Sequence, residues 1–84
     1  MSVEVRMMTA AGCHLCDEAY AVLEEVRAEA GFDLVRVDIT GDPALEAEFR
    51  EQIPVVFVAG RKAFKYRVDA DELRRRVAAA TSPD

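Results

Sequence analysis

The first 39 residues contain the pattern of a strand, a long amphipathic helix and a second strand, and this order constrains the fold more than any other feature. Residues 3–8 alternate as a strand does. Apolar residues recur at helical spacing across residues 13–30, and residues 34–39 are rich in Val and Ile, which favours a second strand. Strands joined by such a helix run parallel, with a right-handed crossover. The segment therefore predicts a βαβ unit.

The remainder of the chain is predicted to add a short helix, a hairpin and a final helix. Asp42 and Pro43 suit the first positions of a short helix. Gly60 suits the tight turn between strands at residues 55–59 and 62–66. The spacing of Asp69 and Glu72 is that of a capping box, with Asp69 in place of Ser or Thr. The predicted α/β architecture is β-α-β-α-β-β-α, a mixed four-stranded sheet of order 2-1-3-4 flanked by helices.

Length and charge limit the classes of function. The chain has 84 residues, room for a single domain spanning residues 1–84, and a net charge of −5, which argues against nucleic-acid or membrane partners. The basic run at residues 74–76 lies among acidic neighbours and is predicted to be a solvated helix face. No apolar run is long enough to span a bilayer, and the N-terminus lacks a signal-peptide pattern. We therefore expect a cytoplasmic protein, and we expect a monomer.

The two cysteines, Cys13 and Cys16, form a C-x-x-C motif where the predicted helix begins. Free N–H groups and the helix dipole at that end favour a thiolate, so we expect the pKa of the Cys13 thiol to be depressed. The motif alone is compatible with half a zinc site, a structural disulfide or a redox dithiol. Structural zinc needs four ligands, and His14 is the one histidine available. A disulfide closing so short a loop stabilises little, so the redox interpretation is favoured and no metal site is expected.

Three segments give the chain its resemblance to known proteins. They are Cys13-His-Leu-Cys16 after the first strand, Val37-Asp-Ile39 with Asp42-Pro43, and Ile53-Pro-Val-Val56 at the third strand. On these residues the chain resembles the glutaredoxin-like members of the thioredoxin fold superfamily, over nearly its whole length. The resemblance implies a thiol–disulfide oxidoreductase with a cis peptide at Ile53–Pro54 beside the dithiol. Position in the motif then predicts Cys13 as the nucleophile and Cys16, one turn further in, as the resolving thiol.

The resemblance also implies residues that would contact a substrate. A cis bond before Pro54 would let Ile53 offer its N–H and C=O to a substrate peptide as a short β-pair. His14 and Leu15 occupy the positions that hold proline and an aromatic residue in standard glutaredoxins. His14 either stabilises the neighbouring thiolate or serves only as the start of the helix, and the sequence leaves both open.

The segment that holds glutathione in standard glutaredoxins differs here. Those proteins carry a Gly-Gly pair and then an acidic residue before the last helix, whereas this chain has Arg67, Val68 and Asp69. Arg67 would receive a carboxylate of glutathione and Asp69 its ammonium group. The alternative for Asp69 is a helix cap, which the sequence favours.

The predicted function is the reduction of protein disulfides or glutathione-mixed disulfides by a Cys13/Cys16 dithiol. No cofactor is expected to be permanently bound, and the electrons would come from glutathione or from a thioredoxin-type reductase. Two other functions stay open at this point. One is a metal or iron–sulfur carrier with Cys13 as a ligand, and the other is a non-catalytic module that binds a partner at the Ile53-Pro54 groove.

Overall fold

The computed structural model describes residues 3–81, and its helices and strands follow the predicted order. The elements are β1 (Glu4–Thr9), α1 (His14–Ala30), β2 (Asp33–Asp38), α2 (Pro43–Phe49), β3 (Val55–Val58), β4 (Arg61–Lys65) and α3 (Ala70–Thr81). The predicted fraying of the last helix into residues 82–84 lies outside the described residues. No helix among residues 3–81 combines the length and apolar character needed to cross a bilayer.

The four strands form one mixed sheet in the order β2-β1-β3-β4, as predicted. β1 pairs in parallel with β2 and antiparallel with β3, while β3 and β4 form an antiparallel hairpin. The predicted strands of this hairpin each ended one residue too late, and the second also began one residue too late. Ala59 and Tyr66 adopt positive φ angles of 52° and 70°, which end β3 and β4. Ala59 and Gly60 both have positive φ, as the two central residues of a type I′ hairpin turn require.

The central strands are covered on both faces, which places the apolar core in two layers. On one side Val5, Met7 and Val56 pack with residues of α1 and α3. On the other side Met8 and Val55 pack with Phe49 of α2 and with Ile39, which follows β2. Because side chains alternate across a strand, neighbouring residues of β1 enter opposite layers. This explains why both methionines of β1 are buried, and it confirms helices on both faces of the sheet.

Helices α1 and α3 lie side by side and are linked by an exposed ion pair. The Arg74 guanidinium donates to both carboxylate oxygens of Glu29, at 3.1 and 2.9 Å, and to Asp71 at 2.8 Å. Its hydrogen bonds and charge lower the pKa of the Glu29 carboxyl. The predicted solvated arginine face therefore includes one arginine that joins two helices.

The predicted capping box of α3 is present in part. An Asp69 carboxylate oxygen accepts the N–H of Glu72 at 3.0 Å, so Asp69 acts as the cap. The Glu72 carboxylate, however, accepts hydrogen bonds from Arg75 and Arg76 in the next turn. The two guanidinium groups compete for the carboxylate that would otherwise complete the box.

Candidate functional site

The dithiol lies at the start of α1, where a short loop leads in from β1. Gly12 has a φ of 77°, a left-handed conformation that turns the chain into the helix at little steric cost. Cys13 follows as the N-cap, with extended backbone angles of −93° and 108°. Its Sγ accepts the backbone N–H of Cys16 at 3.1 Å. A sulfur atom thus occupies the place of the oxygen that usually caps a helix.

The two cysteines differ in how much of each is exposed. Cys13 is half-buried, whereas Cys16 is only 2% exposed and belongs to the core layer beneath α1. Their sulfur atoms are joined as a disulfide, with the Cα atoms 5.2 Å apart. The structure therefore represents the oxidised form of the motif. An incoming molecule meets the sulfur of Cys13 before that of Cys16.

The Ile53–Pro54 peptide bond is cis, as the resemblance implied. Ile53 and Cys13 are both half-buried and pack against the same core layer, which contains Cys16. The N–H of Ile53 donates to the Phe49 carbonyl at 3.1 Å. The expectation that Ile53 offers both backbone groups to a substrate is therefore wrong for its N–H, because the end of α2 already uses that donor. The Ile53 carbonyl is the group left for such a contact.

A small cavity of about 150 Å³ lies between α1 and the loop that joins β4 to α3. We call it the Leu15 groove, and it is lined by Leu15, Glu18, Ala19, Val22, Tyr66, Arg67 and Val68. The groove brings together three of the predicted substrate-contacting residues. Leu15, which stands between the two cysteines in the chain, is the lining residue that belongs to the C-x-x-C motif.

The other predicted residues lie outside this groove. The side chain of His14 is exposed on the first residue of α1. The Asp69 carboxylate caps α3 through the Glu72 N–H, which matches the favoured alternative for this residue. Capping engages one of the two carboxylate oxygens of Asp69.

Tyr66 is a lining residue that the sequence reasoning missed. It is 43% exposed and is the one large apolar side chain classed as exposed in the described part of the chain. Its N–H donates to the Pro54 carbonyl at 2.9 Å and its hydroxyl donates to the Glu51 carbonyl at 3.0 Å. A tyrosine with positive φ carries no turn signal of the kind that Gly or Asn provides. Its position in the lining of the groove follows from the placement of β4, which ends at the preceding residue.

A second, more polar cavity of about 400 Å³ adjoins the loop before Cys13. Asp17 of α1 and Arg36 and Asp38 of β2 contribute to its walls. The Asp38 carboxylate accepts the Thr40 N–H at 2.9 Å. That hydrogen bond is the main cause of the lowered pKa of Asp38. A hydrogen bond from the Thr40 side chain and the charge of Arg36 lower the pKa further. Among residues 3–81 no group of three or more His, Cys, Asp or Glu side chains is arranged to hold a metal ion.

Comparison with known proteins places this geometry in a family. A model of the glutaredoxin-like domain (DUF836) matches residues 4–78. A relative from Mycobacterium tuberculosis, described as an uncharacterized protein, is 37% identical over 83 residues, which cover 93% of this chain and 86% of the relative.

Solved structures agree on the fold. A structural-genomics target protein from X. campestris superimposes with a TM-score of 0.74 at 32% identity, and the match covers 89% of this chain and 96% of that one. A chloroplastic thioredoxin z also superimposes with a TM-score of 0.74. At 20% identity, over 93% of this chain and 77% of the other, that likeness shows a shared thioredoxin fold alone.

Proposed function

This chain belongs to the glutaredoxin-like domain family, and from that premise we propose that it is a thiol–disulfide oxidoreductase. The observation that carries the proposal is the hydrogen bond from the Cys16 N–H to Cys13 Sγ at the start of α1. A donor aimed at the sulfur, together with the positive end of the helix dipole, favours the thiolate once the disulfide is reduced. The half-buried position of Cys13 makes it the nucleophile, and the burial of Cys16 makes it the resolving thiol.

The reaction proceeds in two exchanges. The Cys13 thiolate attacks one sulfur of a substrate disulfide, a new S–S bond forms as the substrate bond breaks, and the released thiolate takes a proton from water. Cys16 then loses its proton to solvent and attacks Cys13, which expels the second substrate thiolate. The second substrate thiolate also takes a proton from water, so two electrons pass in total from the protein to the substrate while the protons are exchanged through solvent. The protein ends in the Cys13–Cys16 disulfide form that the structure contains.

The assignment of the two roles can be tested by trapping the intermediate. In a Cys16→Ser variant the first exchange can occur but the second cannot, so a covalent adduct with an oxidised peptide should accumulate at Cys13. The matched Cys13→Ser variant retains a hydroxyl cap and should give no such adduct. Intact-mass spectrometry measures both. If Cys13→Ser formed the adduct as fast as Cys16→Ser, the assigned order of the cysteines would be wrong.

We further propose protein disulfides or glutathione-mixed disulfides as substrates, and glutathione or a thioredoxin-type reductase as the electron source. The cytoplasm, where thiols are kept reduced, is the compartment this chemistry suits. No cofactor needs to be permanently bound for either exchange. Incubating the oxidised protein with glutathione, and separately with a thioredoxin reductase system, and counting the thiols restored over time decides between the donors.

An Asp69→Asn variant tests whether glutathione uses the acidic residue before α3. Asparagine caps a helix about as well as aspartate, so the fold is kept while the charge is removed. If Asp69 receives the glutathione ammonium group, reduction by glutathione should slow about 10-fold, the scale of about 1.4 kcal/mol for one charged contact. An unchanged rate would mean that Asp69 is a cap and nothing more.

A further inference from the structure

We propose that the free edge of strand β4 binds an extended acidic segment of another protein, which pairs with the strand. We call this surface the basic edge and define it by Arg61, Lys62 and Lys65. The inference goes beyond the proposed function, because the basic edge contributes no residue to the dithiol, to the Ile53–Pro54 bond or to the lining of the Leu15 groove.

The positive charge of the chain is concentrated around this strand. Residues 52–68 contain four basic and no acidic residues, including both lysines of the chain, whereas the other residues contain seven basic and 16 acidic ones. The net charge is therefore +4 for this segment and −9 for the remainder. Most of the molecule repels an acidic segment and only this part attracts it, so the field directs such a partner to β4.

The three cations of the basic edge are exposed, and none of them takes part in an ion pair among residues 3–81. The Lys62 ammonium group donates to Gln52 Oε1 at 3.2 Å, which is a neutral acceptor. Six arginines elsewhere lie within 3.3 Å of a carboxylate oxygen: Arg6, Arg27, Arg50, Arg74, Arg75 and Arg76. The charges of the basic edge thus stay available to carboxylates of a partner.

The register between β3 and β4 places the two lysines on one face of the sheet. Lys65 lies opposite Val55 of β3. Lys62 lies opposite Phe57, because the register shifts between the two pairs and makes Ala63 an extra residue. Val55 and Phe57 are two positions apart, so their side chains and those of their partners point to the same face. Carboxylates at alternate positions of a bound strand would therefore meet both lysines.

The backbone of β4 can form the second part of such a contact. β4 is the last strand of the sheet on its side, so its outward N–H and C=O groups have no partner strand among the described residues. Its five residues give an edge of about 17 Å at about 3.4 Å per residue. Pairing along this edge supplies affinity through backbone hydrogen bonds, and the lysines select which segment pairs.

Charge makes the basic edge selective. Two β4 strands side by side would bring six cations together, and lysines on edge strands commonly prevent such self-association. The same charges attract an acidic strand, so one feature both rejects a second copy and favours the partner. The opposite edge of the sheet, β2, carries Asp33, Arg36 and Asp38 and has no comparable preference.

The test measures binding of an end-blocked, cysteine-free peptide that alternates glutamate with valine. Backbone amide chemical shifts of the full-length oxidised protein should change saturably, with the changes concentrated in β4. A peptide with glutamine in place of each glutamate should bind about 10-fold more weakly, because several exposed ion pairs are lost. A glutamate peptide with a central proline should weaken by a similar factor, because proline interrupts strand pairing.

Variants show whether the basic edge is the binding surface. The double variant Lys62→Gln and Lys65→Gln should bind the glutamate peptide about 10-fold more weakly and the glutamine peptide as before. The matched control combines Arg27→Gln on α1 with Arg36→Gln on β2, which removes the same number of positive charges from exposed side chains away from β4. It should retain the wild-type affinity within about 2-fold.

Several results would overturn the proposal. They are an unchanged spectrum at millimolar peptide, an equal loss of affinity in the two double variants, and binding that is indifferent to the central proline. A single-stranded oligonucleotide of the same charge that binds β4 as tightly would assign the edge to nucleic acid instead. Self-association of the protein that the lysine variant abolishes would assign it to a second copy.

The same experiment keeps this inference distinct from the proposed function. The peptide contains no cysteine, so its binding does not depend on disulfide exchange. A protein that binds the glutamate peptide at β4 but reduces no disulfide would retain the basic edge and overturn the oxidoreductase. A protein that reduces disulfides but binds no peptide would do the reverse.

Discussion

The N-termini of α1 and α2 have nearly the same backbone geometry but carry different capping atoms. Cys13 caps α1 with φ and ψ of −93° and 108°, and Asp42 caps α2 with −106° and 102°. The Asp42 carboxylate accepts the N–H groups of Ala44 and Leu45, both at 3.1 Å. Cys13 Sγ accepts one, from Cys16, at the same distance.

The difference shows how one structural device can serve stability or chemistry. A carboxylate is charged at neutral pH and has no further reaction to perform, so at α2 the free N–H groups contribute only to holding the helix. A thiol ionises near neutrality, and the same donors shift it toward its reactive form. We infer that α1 exchanges part of the stability of a strong oxygen cap for a nucleophile at its end.

Replacing the sulfur cap by an oxygen cap should have the largest effect. In Cys13→Asp the helix keeps a good N-cap, so the melting temperature should stay within a few degrees of a Cys16→Ser protein, which also lacks the disulfide. Disulfide exchange should fall by at least about 1,000-fold, since the nucleophile is gone. Thermal unfolding measures the melting temperature, and peptide-disulfide reduction measures the exchange rate. Retained exchange would show that Cys16 can act as the nucleophile.

The pH dependence of alkylation in the reduced protein probes the sulfur cap directly. We expect Cys13 to react with iodoacetamide with a midpoint below the ordinary thiol pKa of about 8.5, because the first-turn N–H groups stabilise the thiolate. Asp17 lies in that first turn and is exposed, so Asp17→Asn should lower the midpoint further by removing a like charge. A wild-type midpoint at or above 8.5 would remove the basis for the comparison with Asp42.

Removing the oxygen cap of α2 should affect stability alone. Asp42→Ala leaves the N–H groups of Ala44 and Leu45 without their partner and should cost about 1 kcal/mol of unfolding free energy. For a domain of this size, that corresponds to a fall of about 4–8 °C in melting temperature. Disulfide exchange should be unchanged. A loss of exchange at full folding would mean that α2 positions the dithiol, and the division between the two caps would fail.

The smallest effect is expected in acid, at the turn between β2 and α2. Hydrogen bonding from Thr40 lowers the pKa of Asp38 in the folded state, so its contribution to stability is present above the unfolded value of about 3.9. It is lost as the pH falls through the lower folded value. Asp38→Asn keeps an acceptor for the Thr40 N–H but lacks the charge, so it should lose this contribution at pH 7, match the wild type at the lowest pH, and therefore show a flatter stability curve below about pH 4. Chemical denaturation over pH 2–7 measures this, and an unaltered acid slope would contradict it.

Local sequence signals predicted most of the fold because each of them is enforced by short-range physics. Period-two and period-3.6 patterns located the strands and helices, and Asp42-Pro43 predicted the start of α2. The cysteine motif at the start of the first helix predicted that the Cys13 sulfur would lie near the amide donors. The late ends predicted for β3 and β4 came from Ala59 and Tyr66, whose positive φ angles are not encoded by residue type, and the predicted β1 and β2 were each displaced by one residue.

The candidate site was predictable where its residues are neighbours in the chain. Cys13, Cys16 and Leu15 come from one turn of helix, and their approximate arrangement follows from helical geometry. Tyr66 and Val22 became site residues only when the loop after β4 and helix α1 came to line the same cavity. The engagement of the Ile53 N–H by Phe49 was likewise unpredictable, because it depends on how the end of α2 meets the following segment.

The sequence by itself determined the order of the elements, the mixed sheet and the sulfur at the head of α1, since these depend on periodicity, capping and chain connectivity. Tertiary structure alone decided that the Ile53 N–H is already bonded, that the Tyr66 ring is exposed, and that a groove opens at Leu15 of the C-x-x-C motif. The physical reason is the range of the interactions. Caps and periodic faces act within a few residues, whereas the Leu15 groove requires side chains more than 40 positions apart to pack against each other.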